Sequence, residues 1–369
     1  MTPKLSLVVP CFNESATLER CVARILAIAT PSLPLEIVIV DDASRDDSLA
    51  IARGLEARHP EVRVFAHERN RGKGAALRTG FERVTGDFVA VQDADLEYDP
   101  RDLVGLLVPL EDGRADAVLG SRYRAEGLRR VRQFWHTAGN RFLTFVSNLF
   151  TDLELTDLET CYKVFRRDVI QSIGIEEDRF GFEPEIVAKL AGRRLRIYEA
   201  SIDYAGRTYA EGKKIRARDG WRALYCIIRY NADHAPRAMR FLVYAGIGVV
   251  AGLVDVALFA GLRGVAPTPG LAIAAAYGLA AFVNLLLCRA FLFPVATAGV
   301  LARYAVVAVA GLIVDLGLTR ALVETGIEPI AAKLLALLPF PVFNFVLRDR
   351  FVFSRATAMQ GVGRDGDAA

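Results

Sequence analysis

Cysteine is scarce in this chain. The 369 residues hold five, Cys11, Cys21, Cys161, Cys226 and Cys288, with no CxxC pair and no histidine at zinc-ligand spacing. Neither a disulfide framework nor a structural zinc site is indicated, and reduced thiols facing the cytosol fit best. Charge of one sign is lacking too: a net charge of +3, without a basic stripe interleaved with aromatics, leaves no case for nucleic acid. The segment Asn70-Arg71-Gly72-Lys73-Gly74-Ala75-Ala76 has glycines before a helix but neither the G-x4-GK-S/T of an NTPase loop nor GxGxxG, which disfavours ATP hydrolysis and hydride transfer. The opening MTPKLSLVVP runs directly into a strand pattern without the three regions of a signal peptide, so the first domain is expected to stay in the cytoplasm.

Apolar residues, by contrast, are plentiful. A mean hydropathy of +0.27 is high for a wholly soluble protein. Charged residues are dense up to Arg240 and then concentrate at the ends of four apolar runs, near 241 to 262, 270 to 288, 304 to 323 and 330 to 347, each long enough to span a hydrocarbon core. Arginines gather before the first run (Arg237, Arg240), between the second and third (Arg289, Arg303) and after the fourth (Arg348, Arg350, Arg355), which places both termini in the cytoplasm. The runs also repeat: AFVNLLLCRAFLF answers PVFNFVLRDRFVF, and GLVDVAL answers GLIVDLGL, implying two similar hairpins. Asp255 and Asp315 lie inside those runs, where a carboxylate calls for a partner or a wet cavity. Just upstream, WRALYCIIRY sets Arg222 and Arg229 among apolar residues, as a helix lying on a membrane surface would, an ordinary surface helix being the alternative.

The N-terminal part alternates β-branched runs (Leu5 to Pro10, Glu36 to Asp41, Val62 to Ala66, Asp87 to Gln92, Ala115 to Leu119) with helical patterns at Ala16 to Ala29 and Asp46 to Arg58. That alternation predicts an α/β fold with a mostly parallel sheet, and ligands in such folds bind beyond the carboxyl ends of the strands. Those ends carry Asn13 and Glu14, Asp41 and Asp42, and Asp93-Ala94-Asp95 followed by Glu97. Alternating carboxylates past a strand end suit a divalent cation, which in turn bridges a diphosphate leaving group. Phe12 beside its turn suits a base or ribose, although Asn13 and Ser44 equally suit helix caps. Ser121-Arg122 follows another strand end, and Arg132 and His136 stand one helical turn apart, as a cationic pocket for a phosphate requires; Arg124, Arg129 and Arg130 read as a solvated basic loop.

LVVPCFNES, IVIVDDASRDDS, NRGKGAALRTGF, QDADLEY, VLGSRY and GRTYAEGKK, in this order over about residues 4 to 230, resemble the dolichyl-phosphate mannose synthase and dolichyl-phosphate glucose synthase group of glycosyltransferase family 2, and the last 130 residues or so resemble the GtrA-like four-helix membrane domain. The resemblance implies a nucleotide-sugar-binding, Rossmann-like glycosyltransferase A fold with a four-helix transmembrane domain. Its expected boundaries are a catalytic domain at 1–215, an amphipathic juxtamembrane region at 216–237, the membrane domain at 238–355 and a disordered tail at 356–369. It implies a donor site of Pro10, Phe12, Glu14, Val40, Asp42, Asp93, Ala94, Asp95, Arg207 and Lys213. Mg2+ or Mn2+ would be held by Asp93, Asp95 and Glu97. The acceptor phosphate would fall to Arg122, Arg132 and His136, with Asp95, Arg122 and Arg132 carrying catalysis. Asp157, Thr160 and Glu185 are candidates for sugar hydroxyls. Three positions depart from the family pattern: Glu97 replaces a common Gln, Gly212 a frequent Ser, and His136 a usual Ser.

The implied reaction is inverting, metal-dependent transfer of a hexose, with GDP-mannose and UDP-glucose the leading donors, to a dolichyl or undecaprenyl phosphate in a multi-pass membrane protein. A processive polysaccharide synthase would share the donor site, but the chain has no QxxRW. A soluble transferase acting on protein explains neither the apolar runs nor the arginines. A component of a lipid-linked sugar flippase or transporter that only binds nucleotide sugar is the rival from another class.

Overall fold

The computed structural model describes residues 2–124, 131, 133–206, 217–232, 234–292 and 298–337, which divide into a unit ending at Asn231 and a second beginning at Ala232. Seven strands build the first unit's sheet: β1 (Leu5–Cys11), β2 (Leu35–Asp41), β3 (Val62–Ala66), β4 (Phe88–Val91), β5 (Ala117–Ser121), β6 (Lys163–Arg166) and β7 (Ile197–Ser201). Their order is β3-β2-β1-β4-β6-β5-β7. Every pairing is parallel except the two made by β6, with β4 and with β5. The five expected strands are all present. β1, β2, β4 and β5 are buried almost throughout, as continuous β-branched runs should be in a sheet covered on both faces.

The helices α1 (Leu18–Leu26), α2 (Ser48–Arg58), α3 (Lys73–Phe81) and α4 (Asp102–Glu111) follow β1 to β4 in turn. Because the chain winds from β1 out to β3 and returns to β4 on the other side of β1, the strand order reverses between β1 and β4, where a doubly wound sheet leaves its crevice. β4 pairs β1 only over Leu5 to Val8, so Val9 to Cys11 run on beside β2 alone. Pro10, which has no N–H to give, is tolerated in a central strand for that reason.

α5 (Phe134–Thr151), α6 (Arg167–Ser172), α7 (Phe182–Gly192) and α8 (Ala217–Tyr230) complete the first unit. α8 is the amphipathic stretch expected at a membrane surface. It packs on α5 and α7, buries Ala223, Cys226 and Ile227, and is held by Arg222, whose Nε and Nη2 donate to Glu177 at 2.9 and 2.6 Å. The first unit thus closes at Asn231, with α8 inside it.

The second unit holds α9 (Arg237–Leu262), α10 (Pro269–Phe291), α11 (Ala298–Glu324) and α12 (Pro329–Leu337). Three helices among the described residues, Arg237–Leu262, Pro269–Phe291 and Ala302–Glu324, are long and apolar enough to cross a membrane. The fourth expected run, 330 to 347, begins as α12 and continues outside the described residues. α9 and α10 form a hairpin around Ala272, Ala276, Ile273 and Phe259, the small residues letting the backbones approach. Leu242, Val249, Leu253, Leu279, Phe282 and Val306 remain exposed, an arrangement that water penalises and lipid does not.

Candidate active site

Three parallel strands deliver their following residues to one edge. After β1 the chain turns at Asn13 (φ 54), and after β2 at Ala43 (φ 58). The two turns are tied together: Asn13 N–H donates to Ser44 Oγ at 3.0 Å, Arg45 N–H to Asn13 Oδ1 at 2.8 Å, and Glu14 N–H to Ser48 Oγ at 2.8 Å. Asn13 and Ser44 therefore brace loops. Pro10 pairs with Val40 across the β1–β2 ladder, and Val40 is fully buried, backbone included.

Asp42 is committed to its own chain. Its carboxylate accepts from Arg71 N–H at 2.9 Å and Gly72 N–H at 2.6 Å, and lies 2.7 Å from His67 Nδ1. It thereby shapes the turn that opens α3. Gly72 there has φ 107, and a Cβ on it would strike the Asp178 backbone, so this position requires glycine.

The turn places Lys73 where the sequence did not point. Its ammonium lies 3.0 Å from Asp93 Oδ1 and 3.0 Å from Glu183 Oε1, joining the first carboxylate after β4 to α7. Burial opposes the charge on Lys73, but Asp93 and Glu183 outweigh it and hold the amine well above its ordinary value. Beyond it, Glu159 is pushed up by burial and by the charge of Glu183, while burial pulls the fully buried Lys163 down.

On the other side, Asp95 Oδ1 accepts from Glu97 N–H at 3.1 Å, and Glu97 Oε2 accepts from Tyr204 Oη at 2.6 Å. The Tyr204 ring lies 5.1 Å from the Arg122 guanidinium. Arg122, 6% exposed, donates through Nε and Nη2 to Asp157 at 2.6 and 2.7 Å, and Asn140 of α5 donates to the same carboxylate at 2.9 Å. One continuous set of contacts therefore links Asp95 and Glu97 after β4 to the arginine after β5.

Residues 6–174 match the family model for glycosyl transferase family 2, and residues 243–353 that for the GtrA/DPMS transmembrane domain. A glycosyl transferase family 2 domain thus occupies residues 6–174 of the first unit. The second carries the GtrA/DPMS transmembrane domain. Similar curated proteins include a low-salt glycan biosynthesis hexosyltransferase, Agl6, of Haloferax volcanii, 29% identical over 71% of this chain and 61% of that protein. Others are a dodecaprenyl-phosphate galacturonate synthase of Rhizobium johnstonii, 30% identical over 57% and 61%, and a dolichol-phosphate mannosyltransferase of Pyrococcus furiosus, 27% identical over 57% and 59%. The chain spans about three-fifths of the length of each of these relatives. Among solved structures, glucosyl-3-phosphoglycerate synthase from Mycobacterium tuberculosis with Mn2+, UDP and phosphoglyceric acid overlaps at a TM-score of 0.49 and 19% identity, over 62% of this chain and 78% of that one.

Within the family 2 domain, the expected metal trio is not a ready-made cage. Among the described residues no three His, Cys, Asp or Glu side chains group closely enough to hold an ion. Asp93 is engaged by Lys73 and Glu97 by Tyr204. The donor set nonetheless fits a hard divalent cation, because such ions are commonly held by one or two carboxylates together with substrate phosphates. Asp93, Asp95, Glu97 and Glu183 outnumber Lys73 around this edge, and that excess of negative charge favours a cation.

His136 sits half-buried on α5, whereas Arg132, Arg207 and Lys213 lie outside the described residues. Asp157 is the partner of Arg122, which supplants the sugar-hydroxyl role considered for it. Glu185 accepts the Glu176 and Glu177 N–H groups at 2.7 and 2.8 Å and is fully buried, so it pins the segment before α7. Thr160 is also fully buried. Sequence reasoning missed Lys73, Glu183, Tyr204 and Asn140. Lys73 stood in plain view in NRGKG, but only the distant Asp93 gives it meaning.

Proposed function

We propose that the chain transfers a hexose from a nucleoside-diphosphate sugar, GDP-mannose or UDP-glucose, to a dolichyl or undecaprenyl phosphate at the cytoplasmic face of a membrane, with inversion and with Mg2+ or Mn2+. The observation that carries the reading is the linked row Asp95, Glu97, Tyr204, Arg122, which starts after β4 next to Asp93 and its partner Lys73, in a chain that also has a transmembrane domain. The names of the Rhizobium and Pyrococcus relatives point the same way.

On this reading Pro10, Phe12 and Glu14 line the base and ribose with the buried Val40 backing Pro10, Asp42 sets the turn beside them, and Arg207 and Lys213 meet the donor phosphates. Asp93 and Asp95 would hold the cation, which when bound offsets charge on the departing diphosphate. A lipid phosphate oxygen attacks the anomeric carbon in line as the bond to the nucleoside diphosphate breaks. That oxygen is anionic at neutral pH and needs no general base; Arg122, Arg132 and His136 position it and lower the repulsion between two phosphate groups. Asp157 and Asn140 hold the Arg122 fork in place. The exposed Phe134, Trp135, Phe142 and Phe145 of α5 and Trp221 of α8 suit a bilayer interface. The proposed membrane domain is 238–355, followed by a tail at 356–369, with four spans and both termini cytoplasmic.

The test is incubation of the purified protein with a panel of nucleotide sugars, a polyprenyl phosphate and either metal, followed by extraction of lipid. A sugar-bearing lipid phosphate is expected from one donor. Tight nucleotide-sugar binding without any lipid product, across donors and metals, would overturn transfer and leave a donor-binding component of lipid-linked sugar transport.

A further inference from the structure

Three charged side chains are buried together in the second unit. Asp255 of α9, Asp315 of α11 and Lys333 of α12 are 1%, 0% and 0% exposed. Lys333 Nζ lies 2.9 Å from Asp255 Oδ2 and also donates to Asp315 Oδ2. Thr319 Oγ1 donates to Asp315 Oδ1 at 3.5 Å, and the Tyr277 ring of α10 lies 6.0 Å from the ammonium. Asp255 Oδ1 has no hydrogen-bond partner among the described residues, and the contact of Oδ2 with Lys333 is an ion pair outside hydrogen-bond geometry.

Two carboxylates and one ammonium leave one negative charge over. Among the described residues the other charges of these helices do not cancel it, because they lie toward helix ends: Arg237 and Arg240 at the start of α9, Arg289 at the end of α10, Arg303 and Glu324 near the two ends of α11. Arg263 pairs with Glu328 at 3.0 Å, and Arg320 reaches Gly270 at the start of α10. An uncompensated charge among apolar helices is costly, and two carboxylates sharing a site relieve it by keeping one proton. The imbalance is written into the repeat. One offset relates Asp255 to Asp315, Tyr244 to Tyr304 and Asn284 to Asn344, but carries Lys333 onto Ile273. The duplicated acid has a single base.

We propose that Asp255, Asp315 and Lys333 form a proton-binding site that holds one proton between the two carboxylates at neutral pH. The bound proton makes the cluster neutral and turns one buried oxygen from an acceptor lacking a donor into a donor. It ties the packing of α9, α11 and α12 to proton occupancy, independently of the transferase reading.

Infrared spectroscopy of the full-length protein in lipid nanodiscs at neutral pH tests this. Wild type minus Asp255→Asn, and wild type minus Asp315→Asn, should each show a protonated-carboxyl C=O band that shifts in D2O. Either variant leaves one carboxylate facing one ammonium and needs no proton. Other buried acids, Glu159 among them, cancel in the difference. Both variants should unfold at or above the wild-type temperature, and Lys333→Met should gain a second protonated carboxyl. The proposal is overturned if neither difference spectrum contains the band. It is equally overturned if wild-type stability rises with NaCl but not with choline chloride while no band is present, since a bound metal ion would then occupy the proton's place.

Discussion

Replacing Asp157 by Asn removes one charge from a pair that has almost no solvent, and the cost follows from the geometry. The Asp157 carboxylate is fully buried and accepts four hydrogen bonds, from Arg122 N, Nε and Nη2 and from Asn140 Nδ2. Burial opposes both charges, yet the pairing prevails, holding Asp157 below and Arg122 well above their ordinary values. Taking away one member strands the other in a low-dielectric site, a loss of about 3 to 5 kcal/mol. For a unit running to Asn231, that is a fall in unfolding temperature of roughly 6 to 20 °C. Arg122→Met should cost a similar amount, and the Arg122→Met/Asp157→Leu double variant much less than the sum, because it leaves no orphaned charge. Thermal unfolding of the full-length protein in detergent measures all three. At a permissive temperature Asp157→Asn should also raise the KM for lipid phosphate more than that for nucleotide sugar, since it loosens the arginine and not the donor loops. Additive single-variant losses, or a loss below about 1 kcal/mol for Asp157→Asn, would refute the buried pair.

Asp95→Ala and Asp93→Ala are expected to abolish transfer, and Mn2+ titrations of wild type and variants check it; equal turnover in chelator would remove the metal from the scheme. Lys73→Met frees Asp93 from its built-in cation and should lower the metal concentration for half-maximal transfer by roughly tenfold; an unchanged midpoint counts against competition between Lys73 and the ion. Glu36, 3% exposed, is lowered to about 2, with burial outweighed by hydrogen bonds from Ser6, Thr85 and Arg63. A lowered folded-state value means stability present above the unfolded value of 4.5 and lost as pH falls toward 2, about 3 kcal/mol in all; Glu36→Gln should remove that pH dependence in unfolding scans between pH 5 and roughly 2. Truncation after Asn231 should leave donor binding by calorimetry intact and impair use of long-chain lipid phosphate in membranes, while equal activity on that lipid would show that the second unit is dispensable.

The sequence by itself determined what local pattern can encode. β1 to β5 were legible because each is a short β-branched run bounded by turn residues, and the apolar helices because lipid-length runs with charged ends have few other uses. Asp93 and Asp95 were legible because a strand end leads directly to them. β6 and β7 were not: Lys163–Arg166 is four residues long and polar at both ends, and Ile197–Ser201 is an edge strand with only partial burial, so neither carries a periodic signal. The tertiary structure alone decided the partners of each charge. Lys73 with Asp93 and Glu183, Arg122 with Asp157 and Asn140, and Lys333 with Asp255 and Asp315 join residues far apart in the chain. A residue's chemical type is fixed where it stands, whereas the field that sets its charge and its task comes from whatever folding brings within a few ångströms of it.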